Sequence, residues 1–137
     1  MFKDTWDALD TILTTLIATT TLNNVTNYDL KQYTGFPCIT ISPVDWGEVF
    51  SDTANNEDNF KMRVRVVDQN KSIATMEPRI RLLVDQIIAE LRKKDNAELW
   101  NTICSFTMTF VWGWLDDQFP TRICDIIIEA KQINATN

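Results

Sequence analysis

Histidine is absent from the 137-residue chain. That removes Ser-His-Asp and Cys-His catalysis, histidine metal sites and the commonest general base. Glycine is almost as scarce, with only Gly35, Gly47 and Gly113, far apart. Neither a phosphate-cradling loop nor a dinucleotide fingerprint can be written, and no cofactor is expected. The three cysteines, Cys38, Cys104 and Cys124, are odd in number and form no CxxC. The expectation is buried free thiols in a reducing compartment. Long apolar runs are missing too. Residues 9–22 are interrupted by Asp10 and six threonines, short of the roughly 20 apolar residues of a membrane span. Met1-Phe2-Lys3-Asp4 lacks the charged and apolar regions of a secretion signal. The chain is therefore expected to stay where it is made, and the Asn-x-Ser/Thr triplets at Asn24, Asn70 and Asn134 carry no weight. Basic residues are outnumbered 13 to 19 by acidic ones, for a net charge of −6, which argues against general nucleic-acid binding.

What is present is ordinary globular material, 45% hydrophobic and 23% charged, enough for one domain over residues 1–137 with a packed core. Phe2, Trp6, Leu9, Leu13 and Leu16 recur at helical spacing and predict a helix over about 4–20, with Asp4 or Thr5 as its cap. Its threonines are poor helix formers, so packing must hold it. Residues 23–35 read as a polar connection. Phe36-Pro-Cys-Ile-Thr-Ile-Ser-Pro43, framed by two prolines, reads as a strand at a sheet edge or one starting at Pro37. Phe60, Met62, Val64 and Val66 alternate with Lys61, Arg63 and Arg65, a second strand with one apolar and one basic face. Met76, Ile80, Leu83, Val84, Ile87, Ile88 and Leu91 predict a helix over 75–94, capped by Thr75 with Pro78 in its first turn. Residues 103–112 and 122–133 read as a closing hairpin, and 134–137 as a short polar tail. The expected fold is α+β, in the order α-β-β-α-β-β, with a mainly antiparallel four-stranded sheet and both helices on one face.

Three groups of residues are candidates for function. Segment 45–59 reads as a long loop carrying Asp45, Glu48, Asp52, Glu57 and Asp58 with Trp46 and Phe50. Acidic residues mixed with aromatic anchors suit a partner-binding arm, and the alternative is that Trp46 and Phe50 fold back onto the core. Lys61, Arg63 and Arg65 form a basic strand face, either solvated or turned toward a neighbouring subunit or a lumen. Trp112, Trp114, Asp116, Asp117 and Phe119 sit at the tip of the closing hairpin, where exposed rings need a cover. Paired Asp116 and Asp117 also admit a metal-dependent hydrolase or nuclease, although adjacent acids in such a loop are more often solvated turn residues. A ligand pocket lined by Trp112 and Trp114 is a third possibility.

The order of an N-terminal helix, the Phe36-Pro37-x-Ile39-x-Ile41 strand, a long polar loop, a strand ending near Gln69, the 75–94 helix and a closing hairpin resembles the small tail terminator proteins of long-tailed bacteriophages. These are also called tail-completion or head-tail joining proteins. The resemblance spans most of the chain. It implies a non-enzymatic virion protein assembled in the host cytoplasm. Such a protein forms a homo-oligomeric ring, typically a hexamer, on the end of the tail tube. There it stops tube polymerisation and presents a surface to the head connector, with DNA at most passing through the lumen. Segment 45–59 and the strand face of Lys61, Arg63 and Arg65 become the interface candidates. A head-side connector or stopper, or a tail-tube subunit, would show a similar order of elements.

Overall fold

The computed structural model describes the backbone of residues 2–28, 30, 32–50, 55–93, 105–115 and 119–135, and the side chains of 6–28, 30, 32–44, 61–93, 107–115 and 119–130. Helix α1 (Phe2–Thr14) leads into a 3-10 turn (Thr15–Ala18), followed by strands β1 (Asn24–Thr26), β2 (Cys38–Phe50) and β3 (Asn55–Gln69), helix α2 (Ile73–Leu91), and strands β4 (Ser105–Leu115) and β5 (Thr121–Ala135). The strands form one five-stranded mixed sheet in the order β1-β2-β3-β5-β4. β1 runs parallel to β2, and the other neighbours are antiparallel.

The expected four-stranded antiparallel sheet and the order α-β-β-α-β-β are therefore incorrect. The missing strand lies in the polar connection. Asn24, Val25 and Thr26 pair with Cys38, Ile39 and Thr40, a stretch too short and too polar to announce itself by periodicity. Side-chain bonds hold the return instead. The Asn24 amide donates to the carbonyls of Thr34 (3.1 Å) and Gly35 (3.0 Å), and the Asn23 N–H donates to the Pro37 carbonyl (2.7 Å).

The long loop over 45–59 is also corrected. β2 runs to Phe50 and β3 starts at Asn55, with Asp45 opposite Lys61, Trp46 opposite Phe60, Glu48 opposite Asp58 and Val49 opposite Glu57. A register shift between Pro43 and Asp45 absorbs one residue, Val44, as a bulge. β5 follows β3 to the same end of the sheet, pairing Asn55 with Ala135, so residue 135 belongs to a strand rather than to a polar tail.

The helices also begin differently from expectation. α1 starts at Phe2, so Asp4 and Thr5 lie inside it. Its threonines turn their hydroxyls back on the helix: Thr11 donates to the Asp7 carbonyl (3.0 Å), Thr14 to Asp10 (2.6 Å) and Thr15 to Ile12 (2.6 Å). This back-bonding accompanies the tightening to 3-10 geometry. α2 is capped by Ser72, whose hydroxyl accepts from the Thr75 N–H at 3.4 Å. Pro78 consequently sits in the second turn, where it leaves the Ala74 carbonyl without its intrahelical donor.

One core joins helices and sheet. Leu9, Ile12, Leu13 and Leu16 of the first helical segment and Ile80, Leu83, Val84, Ile87 and Leu91 of α2 pack on Ile39, Ile41, Met62, Val64, Val66, Cys124, Ile126 and Ile128. These strand residues alternate, as one face of a pleated sheet must. On the opposite face, Cys38, Val67 and Ile123 make a smaller cluster under Tyr33, Phe36 and Leu115. Asp68, wholly buried at the end of β3, accepts from Arg79 of α2 through both guanidinium arms, one at 2.8 Å, and ties the sheet end to the helix.

Candidate functional site

β4 is the candidate site, because it is a long edge strand with no charge and little cover. Its sequence, Ser-Phe-Thr-Met-Thr-Phe-Val-Trp-Gly-Trp-Leu, contains neither a charged residue nor a proline. Among the described strands it pairs with β5 alone. Natural edge strands are usually blunted by lysine, proline, a bulge or shortness, and β4 has none of these among its described residues. Phe110 and Trp112 stand opposite Ile126 and Cys124 and so share the helix-side face. α2, however, lies over β3 and β5, and the rings remain 37% and 38% exposed. Trp114, on the same face, is 50% exposed, and on the other face Val111 is 53% exposed. Apolar surface is thus open on both faces and along the edge.

The two tryptophans are held in place by Arg122 of β5, opposite Trp114 in the register. Its guanidinium lies 5.1 Å from the Trp112 ring centroid and 4.8 Å from that of Trp114. The same side chain donates to the Gly113 carbonyl at 3.2 Å and approaches Glu77 of α2 at 2.8 Å. Glu77 also meets Arg81 at 3.0 Å. The Glu77 approaches are oblique, so they act as ionic contacts more than as aligned hydrogen bonds. Arg122 is only 17% exposed, which makes the cation–π contacts stronger than they would be in open solvent. A preformed cluster of Trp and Arg is the composition that dominates binding energy at protein interfaces.

The basic face is less free than the sequence suggests. Lys61, Arg63 and Arg65 are half-buried on the face away from the helices. Arg65 donates to both oxygens of Asp125 (2.7 and 3.0 Å) and reaches the Tyr33 hydroxyl (3.3 Å). The Asp125 hydrogen bonds hold the guanidinium pKa above its ordinary value against the cost of burial. Lys61 stands opposite Glu129 and Arg63 opposite Ile127. β5 therefore sets carboxylates into the basic stripe.

Of the remaining candidates, Asp45, Trp46, Glu48, Phe50, Glu57 and Asp58 lie on the far ends of β2 and β3 rather than in a loop. Asp52, Asp116 and Asp117 lie outside the described residues, and so does the carboxylate pair on which a metal site would rest. Trp112 and Trp114 belong to β4 itself, not to a loop at its tip. Phe119 is half-buried, with the Lys71 ammonium 5.3 Å from its ring centroid. Sequence reasoning passed over Arg122 and Glu77. Centring the closing hairpin on residue 118 would have set Arg122 beside Trp114, but Glu77 reaches them only through the tertiary fold. The chain matches no protein-family model and no curated protein sequence.

Proposed function

We propose that the protein is a structural subunit that assembles edge to edge with copies of itself into a ring, and that the ring closes the head-proximal end of a phage tail tube. The observation carrying the first half is the uncharged β4 edge, with Phe110, Val111, Trp112 and Trp114 open to solvent. Burying four such side chains is favourable at roughly 25 cal/mol per Å² of apolar area, and leaving them exposed invites uncontrolled association. The second half rests on the resemblance to tail terminator proteins. It retains the N-terminal helix, the Phe36-Pro37-x-Ile39-x-Ile41 strand, α2 and the closing hairpin, and it gives up the long polar loop to β2 and β3.

In this reading the subunit is not an enzyme. Its partners are its own copies, the tail-tube protein and the head connector, and its place is the neck of the virion. Purified tail tubes incubated with the protein test it. Capped tubes of unchanged length, decorated at one end in electron micrographs, are the expected result. Tubes that lengthen by incorporating the protein point to a tube subunit instead, and a chain that never binds tube ends abolishes the terminator reading.

A further inference from the structure

We infer that the partner of β4 is strand β2 of the next copy, through its residues 45–50, so that the sheet continues from subunit to subunit. This rests on the ring reading above and names its contact.

The sheet has two open borders. One is β4. The other is β2 beyond Thr40, where β1 ends and no other described strand lies beside it. Pro43 and the bulge that follows blunt the first part of that border. Past the bulge, residues 45–50 return to regular pairing with β3 and contain no proline.

Strand direction fits as well. β2, β3, β5 and β4 alternate antiparallel, so β2 and β4 run in opposite senses. Rotation about a ring axis lying roughly along the strands preserves direction and height, so β4 of one copy meets β2 of the next antiparallel with the alternation unbroken. Because the register through Lys61 and Glu129 sets Asp45 level with Thr107, residues 45–50 meet the beginning of β4. Such a head-to-tail contact closes into a ring, whereas β4 against β4 about a two-fold axis stops at a dimer. Charge selects among the pairings: β2 against β2 would bring Asp45 and Glu48 of two copies together, while β4 offers these acids no like charge.

The test uses two blocked chains, each made twice. β4 is blocked by Thr107→Pro, or by Thr107→Lys with Thr109→Lys. β2 is blocked by Val49→Pro, or by Glu48→Lys with Val49→Lys. The lysine versions keep the test open if a proline unfolds the chain, as judged by circular dichroism. Light scattering on the eluted species is expected to show a ring for the wild type, a monomer for each blocked chain, and a 1:1 heterodimer when the two are mixed, since each retains the border the other lacks. A β2-blocked chain that still dimerises alone, or a mixture that stays monomeric, overturns the inference while leaving ring formation in place. A wild-type chain that remains monomeric, with or without tail tubes, overturns both.

Discussion

Asp68 shows how one side chain commits two elements to each other. Its carboxylate is fully buried and its cationic partner, Arg79, is 29% exposed, so the costs of losing either are unequal. Arg79→Ala strands a buried charge and is expected to lower unfolding free energy by about 3 kcal/mol, the low end for a broken buried pair because Arg79 keeps some solvent. Adding Asp68→Asn to that variant restores part of the loss, and urea titrations of the single and double variants check the order. The cysteines make a second residue-scale case. Burial, reinforced by the charge of Asp68, raises the Cys38 thiol from 9.0 to about 11, and burial with the charge of Asp125 raises Cys124 to about 12, against the opposing pull of Arg122. Above about pH 9 the unfolded chain releases thiol protons that the folded chain retains. Stability therefore falls as pH rises, by about 1.4 kcal/mol per pH unit for each thiol until its folded value is reached. Cys124→Ala is expected to flatten the slope between about pH 9 and pH 11 relative to wild type, and identical slopes would refute the assignment. Cys104 lies outside the described residues, and the buried free thiols of Cys38 and Cys124 were legible in the cysteine count. The Asp68–Arg79 pair was not, because a strand end and a helix turn meet there only after the chain has folded.

At the scale of elements, β1 depends on a turn that only glycine permits. Gly35 has φ of +70°, and a methyl group there would lie 2.6 Å from Asn23 Oδ1 and 2.8 Å from Asn24 Nδ2. Those amides hold the return of the chain into β2. Gly35→Ala is expected to cost about 2 kcal/mol from left-handed backbone strain plus displacement of the asparagines. Hydrogen exchange should then rise first at residues 24–26, and uniform loss across the sheet would contradict this local account. The same strand explains what the sequence concealed. α2 and the paired β3 and β5 were readable because each repeats apolar residues toward one core. β1 is three residues long, and residues 45–59 carry no period-two apolar pattern in the sequence. Without that signal their charge reads as a loop, although backbone pairing makes 45–50 and 55–59 strands. The β4 site was half legible: Trp112 and Trp114 stand out in the composition, but their position on an open edge follows from strand order, which local pattern does not encode.

At the scale of the molecule, the sheet is a layer finished on one side and unfinished at its borders. Helices cover the middle of one face, Arg65 and Asp125 neutralise each other on the other, and the apolar surplus collects at β4. Assembly through that border alters backbone protection in a pattern that burial of a face does not share. An edge strand in a lone subunit has outward N–H groups bonded to water, and these exchange readily. Once a neighbouring strand accepts them, each opening must also break the contact between copies. Amides in 105–109 and 45–50 should therefore slow by at least about tenfold on passing from dilute subunit to ring, equivalent to roughly 1.4 kcal/mol of added protection. Amides of β3 and β5, already bonded on both sides, should change far less. Trp112 and Trp114 supply an independent optical reading, since desolvation of their rings moves tryptophan emission to shorter wavelength over the same concentration range. Slowed exchange confined to α2, with unchanged exchange in β4, would mean that copies meet through the helical layer and that the open edge is not the surface of assembly.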